Sequence, residues 1–166
     1  KDVVLCDLSN PNSLSYNIQN VSGDFKAIKF SCGVDSIQNL TDPLSVPSDN
    51  PLSSDNNMYW SWLKYQFQLL DARCDTTTTG AGNFNWFPRY HIGGNSMYRT
   101  ASLTKSFSVC CENKYALSLV LDVKKIFYGA HTIDIIAENE TQSGAGDNPA
   151  IAPKFADNFS QAFSVE

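Results

Sequence analysis

Apolar and polar positions alternate with the two-residue period of β-strands through most of the chain. Val3 to Leu8 makes a short apolar stretch that stops at a turn cluster, Ser9 to Asn12, and Ser15 to Ile18 makes another. From Phe25 to Cys32, Ile28, Phe30 and Cys32 alternate with Lys29 and Ser31, which predicts a half-buried strand ending at Gly33. Gly33 to Asn57 reads as a long loop carrying Pro43, Pro47, Pro51, Asp42, Asp49 and Asp55. A connection of that length is expected to be functional or clamped. Its acids suggest calcium only weakly, because their spacing matches no EF-hand-type loop.

The most distinctive pattern runs from Met58 to Leu70. Read as one long strand, it sends Trp60 and Trp62 from the same face, followed there by Lys64, Gln66 and Gln68. Tyr59, Leu63, Tyr65, Phe67 and Leu69 then form the other face, continuously apolar. Asp75 to Asn83 is a Thr- and Gly-rich loop. Phe84 to Gly94 reads as an aromatic strand that Pro88 places near an edge or bulge, closed by Gly93 and Gly94. Strands are also predicted over Ser102–Cys111, Tyr115–Leu121 and His131–Ala137, with a loop from Glu138 to Asn148. Asp122 is suited to cap a short helical turn reaching Tyr128. Pro153 to Phe163 carries Phe155, Phe159, Ala162 and Phe163 on one helical face. Together these elements predict a mostly β chain, an antiparallel β-sandwich with a short C-terminal helix, in a single domain spanning residues 1–166.

Composition narrows the class. At 166 residues the chain can bury a core without disulfides. Its net charge of −5 and the lack of any basic cluster argue against nucleic-acid binding. No apolar run is long enough to span a membrane. Few charges, many Ser, Asn and Thr, and strands rich in Tyr and Trp fit an extracytoplasmic β protein. The opening Lys1-Asp2 carries no leader or lipid-attachment cysteine, which reads as a mature or truncated product. Five cysteines, Cys6, Cys32, Cys74, Cys110 and Cys111, permit at most two bridges and lack paired Cys-x-x-Cys spacing. The adjacent Cys110 and Cys111 would leave opposite faces of a strand and so not pair with each other. Buried thiols are therefore expected over metal ligation.

Catalytic signatures are absent from the sequence. There is no Gly-x-Ser-x-Gly elbow, no phosphate-binding glycine loop and no His-Glu-x-x-His helix. The two histidines, His91 and His131, stand far apart, and no acid, base and nucleophile can be grouped. A non-enzymatic binding protein is expected.

Three segments add a resemblance. Phe30 to Asn39, Met58 to Phe67 with its Trp-x-Trp, and Tyr90 to Gly94 with its His-Ile-Gly-Gly resemble the MbnP-like family, copper-binding proteins named for the methanobactin operon. Pro51-Leu52 and Leu121 to Val123 also fit, and the match extends from about Val3 to Phe163. The variants present resemble the branch found in Bacteroidetes-type bacteria. The tryptophan motif is its most specific part.

The resemblance implies a periplasmic or surface-exposed β-sandwich, possibly lipid-anchored through residues outside this chain, that binds copper through histidines and a tryptophan oxidised to kynurenine. A dihaem peroxidase-like partner would perform that oxidation. Imidazole suits copper, and kynurenine supplies an amine donor that tryptophan lacks. His91 falls on the family's motif histidine, and Trp60 and Trp62 fall on its Trp-x-Trp. Asn39-Leu40 stands where many copper-binding members carry Asn-His, which favours an alternative: a metal-free accessory or structural subunit of an outer-membrane or surface complex. Relative to the family the chain reads as N-terminally incomplete, which leads one to expect a partner strand completing a sheet edge. A third reading is a carbohydrate-binding module with Trp60, Trp62 or Trp86 as its platform. Ser36 and Thr76 sit in short patterns resembling O-glycosylation sites of the same bacteria.

Overall fold

The computed structural model describes residues 2–110, 115–143 and 150–166. In chain order the strands are β1 (Gly23–Cys32), β2 (Tyr59–Trp60), β3 (Lys64–Asp71), β4 (Arg89–Gly93), β5 (Arg99–Val109), β6 (Leu119–Leu121), β7 (Glu140–Thr141) and β8 (Phe163–Val165). Two helices, α1 (Val123–Phe127) and α2 (Ile151–Gln161), complete the regular structure, with four short 3-10 turns. The chain is mostly β and sandwich-like with a short helix near its C-terminus, as its alternation predicts.

Three sheets form. β1 pairs with β5 in a long antiparallel ribbon, β6 pairs with β8, and β2, β3, β4 and β7 make a four-stranded sheet in that order. All pairings are antiparallel except β4 with β7, which is parallel. The expected purely antiparallel arrangement is therefore broken at that one edge.

The main core lies between β4 and the helices. Tyr90, Ile92, Ile126, Phe127, Ile133, Ile151, Phe155 and Ala156 bury together there. Phe155 stacks on Tyr90 with ring centroids 5.2 Å apart. Helix α2 packs against β4, β5 and β1 through its Phe-bearing face, with Pro153 in its first turn, where no intrahelical N–H is required. Asp122 caps α1 by accepting from the Lys124 N–H, as predicted. A second cluster of Val34, Leu52 and Tyr65, with Tyr59 and Phe67 against it, sits under the long loop.

That loop is clamped rather than free. The buried Asn39 accepts from the Tyr65 N–H at 3.0 Å and donates to Asn95 at 2.8 Å. Tyr65 in turn donates its hydroxyl hydrogen to the Leu52 carbonyl at 2.7 Å. Asp42, by contrast, accepts locally from the Leu44 N–H in its own turn.

Several predicted strands differ. The segments from Val3 to Leu8 and from Ser15 to Ile18 form no strand, because no neighbouring chain pairs with them. The segment around His131 contributes only an isolated bridge between Tyr128 and Thr132. Of Phe84 to Gly94, only β4 is a strand, preceded by a bridge between Cys74 and Trp86. Cys6, Cys32, Cys74 and Cys110 are free thiols, while Cys111 lies outside the described residues. Burial pushes the Cys32 thiol up to about 11, which keeps it protonated and inert.

Candidate functional site

The Trp-x-Trp stretch is a hairpin, not one long strand. The Leu63 N–H donates to the Trp60 carbonyl at 3.1 Å, reversing the chain through Ser61 and Trp62. Lys64 then takes a left-handed φ of 67° before β3 begins its ladder with Trp60 opposite Lys64. Trp60 and Trp62 still meet, with centroids 4.9 Å apart, but they meet around a turn. Trp60 is half-buried; Trp62 at the tip is 65% exposed.

A bulge changes which side chains face which way. Between β3 and β4, Gln66 opposes Gly93, while Gln68 opposes Ile92, so Phe67 is an extra residue. Residues opposed across a ladder share a face. Gln68 and Leu70 therefore join Ile92 and Tyr90 on the core side. Gln66, Leu69 and Asp71 share the other face with His91, the face that Trp60 overhangs. The predicted polar run of Lys64, Gln66 and Gln68 is thus split, and both glutamines are buried.

Gly93 makes the close approach possible. A Cβ there would lie 2.5 Å from the Tyr65 carbonyl oxygen and 2.9 Å from Leu63, so only glycine lets β4 lie this near the hairpin. Ser143 holds the same stretch from beyond β7, donating to the His91 carbonyl at 3.1 Å and accepting from the Gly93 N–H at 3.3 Å.

His91 is the chemical centre of this face. Its ring packs edge-on against Trp60, with centroids 5.2 Å apart. Its Nε2 lies 2.9 Å from an Asp71 carboxylate oxygen. An ionised carboxylate only accepts, so Nε2 carries the hydrogen, and in the neutral form of the ring Nδ1 is then a bare lone pair. That Nδ1 is buried and has no hydrogen-bond partner. A carboxylate holding one ring nitrogen while the other presents its lone pair is the usual arrangement of a metal-ligating histidine. Both amide atoms of Gln66 and of Gln68 are likewise buried and unpartnered.

The structure thus brings the predicted Trp60, Trp62 and His91 into one cluster and adds Asp71 and Gln66. Asp71 is recognisable only once strand register pairs it near His91. Gln66 looked like a solvated strand position in the sequence. His131 lies elsewhere, with Nε2 3.2 Å from Asp157, whose other oxygen holds Arg99. Met97 packs against the main core. Leu40, at the position where the family resemblance leads one to expect histidine, is 74% exposed. Among the described residues no three His, Cys, Asp or Glu side chains group around a common point. As encoded, the only imidazole nitrogen in this cluster belongs to His91, and neither indole has a lone pair to add without oxidation.

Trp86 is committed to the fold, its indole N–H donating to the Ile135 carbonyl at 3.0 Å. Ser36 and Thr76 are both exposed; Thr76 hydrogen-bonds Asn85, with the amide donating to the hydroxyl at 2.9 Å.

A mostly β fold with a histidine–tryptophan cluster at a hairpin is the class that these features define. A family model described as MbnP matches residues 1–147, and the chain belongs to the MbnP family. No curated protein and no solved structure matches it. Among the described residues no helix is long and apolar enough to cross a membrane.

Proposed function

We propose that this MbnP-family chain is a non-enzymatic extracytoplasmic binding protein whose ligand is copper, taken at the Trp60–His91 face. The observation that carries this is the His91 ring: Nε2 anchored by Asp71 and Nδ1 buried with a free lone pair. Leaving that nitrogen buried and unpaired costs stability, roughly 1–3 kcal/mol, and a bound metal would offset the loss. Imidazole is a ligand that copper favours.

One of the two tryptophans, oxidised to kynurenine by a dihaem peroxidase-like partner, would add an amine donor. Bound copper would supply the redox and Lewis-acid character of the site. The chain itself orients the imidazole through Asp71, shields it with Trp60 and exposes Trp62 at the rim. The test is metal content per chain in protein purified from its native host, where a modifying partner is present. Near-stoichiometric copper, lost in His91→Ala, together with kynurenine in the peptide holding Trp60 and Trp62, supports this function. A metal-free preparation after copper-replete growth overturns it.

A second reading has one observation in its favour. Trp62 is 65% exposed and lies against Trp60, a surface on which a sugar ring could stack. Saccharide binding that disappears in Trp62→Ala and survives in His91→Ala would select this reading. Attachment to a larger cell-surface complex is compatible with either; Ile37, Leu40 and Leu44, all more than 70% exposed on the long loop, offer apolar contacts for it.

A further inference from the structure

We infer that Gln66 is a second protein ligand of the same copper site. This inference rests on the copper reading above and deepens it. The side chain is only 4% exposed, and neither its amide oxygen nor its amide nitrogen has a hydrogen-bond partner. Buried amides without partners are rare in folded proteins, and each costs free energy unless something else satisfies it.

Its place in the ladder says what that something is. Gln66 opposes Gly93, which has no side chain, and His91 follows two residues along the same face of β4. Trp60 opposes Lys64, one diagonal step away on the other side. The register therefore places Gln66 on the strand between Trp60 and His91, on the face where the second unpartnered group, His91 Nδ1, also lies. Gln68, the other glutamine with an unpartnered amide, opposes Ile92 on the core side and serves as the internal control.

Imidazole nitrogen with amide oxygen is a borderline-to-hard donor pair, which suits Cu(II), whereas Cu(I) selects thiolate and thioether. Met97 packs against the main core, whereas Met58, whose carbonyl accepts from the Gln66 N–H at 2.8 Å, stands opposite Gln66 and brings a thioether to the same face. Gln66 binds through its carbonyl oxygen, leaving the amide N–H groups to donate to an anion or water beside the metal.

The test compares four forms of the full chain purified from the native host and stripped of metal: wild type, Gln66→Leu, Gln68→Leu and His91→Ala. Cu(II) is titrated against a chelator, with tryptophan fluorescence quenching as the readout, and the melting temperature of each metal-free form is recorded. Gln66→Leu is expected to weaken Cu(II) binding by about 10- to 100-fold, the range seen for groups that support metal sites. The same variant is expected to raise the metal-free melting temperature by about 2–4 °C, as removal of an unsatisfied buried amide should. Gln68→Leu should raise it too while leaving Cu(II) affinity unchanged. If Gln66→Leu does not fold, Gln66→Glu replaces it: retaining an oxygen donor, it is expected to bind Cu(II) at least as tightly as wild type. Wild-type affinity in Gln66→Leu, or weaker binding in Gln66→Glu, with binding lost in His91→Ala, overturns the role of Gln66 and leaves the copper reading intact. A wild type that takes up no copper overturns both the role of Gln66 and the copper reading.

Discussion

The imidazole of His91 stands edge-on to the indole of Trp60, ring centroids 5.2 Å apart, although 31 positions separate them in sequence. Two ladders make that contact. Trp60 reaches β3 by a hairpin turn, and β3 reaches His91 through the bulged pairing with β4. The indole shields one ring nitrogen from water while Asp71 holds the other.

Asp71 fixes the histidine tautomer, so its replacement should be felt at the metal and not in the fold. Its side chain is 58% exposed, and its contact with His91 lies at the sheet margin. In Asp71→Asn, copper affinity is expected to fall about 10- to 100-fold, the usual cost of losing a carboxylate behind a ligating histidine. Chelator-competition titration measures this, and circular dichroism should show an unchanged spectrum.

Tyr65 ties the long loop to the four-stranded sheet. Its hydroxyl donates to the Leu52 carbonyl at 2.7 Å and lies 3.2 Å from that of Thr41. Removing it in Tyr65→Phe leaves a buried carbonyl unpaired and is expected to destabilise the fold by about 1–3 kcal/mol. Urea unfolding should show a lower midpoint with an unchanged slope.

Acid should loosen the region behind β4 through Glu138. A hydrogen bond from Lys154, at 2.6 Å, and another from the Asp134 N–H hold its carboxyl below the ordinary value of 4.5. Because the folded value is the lower one, this stabilisation is full above the unfolded value and is lost as pH falls through the folded one. Melting temperatures measured between about pH 3 and 7 should therefore fall less steeply at the acid end in Glu138→Gln than in wild type.

Much of this was legible in the chain before folding. The Trp60, Trp62 and His91 motif positions were recognisable, as were the Asp122 cap and the phenylalanine face of α2. What stayed hidden depended on register and partners. Ser61, Trp62 and Leu63 include no Gly, Asn or Pro, so nothing signalled a turn, and it is Lys64 that adopts the left-handed conformation. Gln66 alternates like a solvated position, and only the extra Phe67 in the ladder separates it from Gln68. Val3 to Leu8 carried the alternation of a strand but found no partner, whereas β8 was too short to stand out beyond the helix.

The most direct measurement is pulsed electron paramagnetic resonance on the native-host protein loaded with Cu(II), which detects the remote nitrogen of a coordinated imidazole. A single imidazole coupling is expected in wild type, absent from His91→Ala and retained in His131→Ala. Copper bound without imidazole coupling, or a coupling that survives in His91→Ala, would contradict a site built on His91.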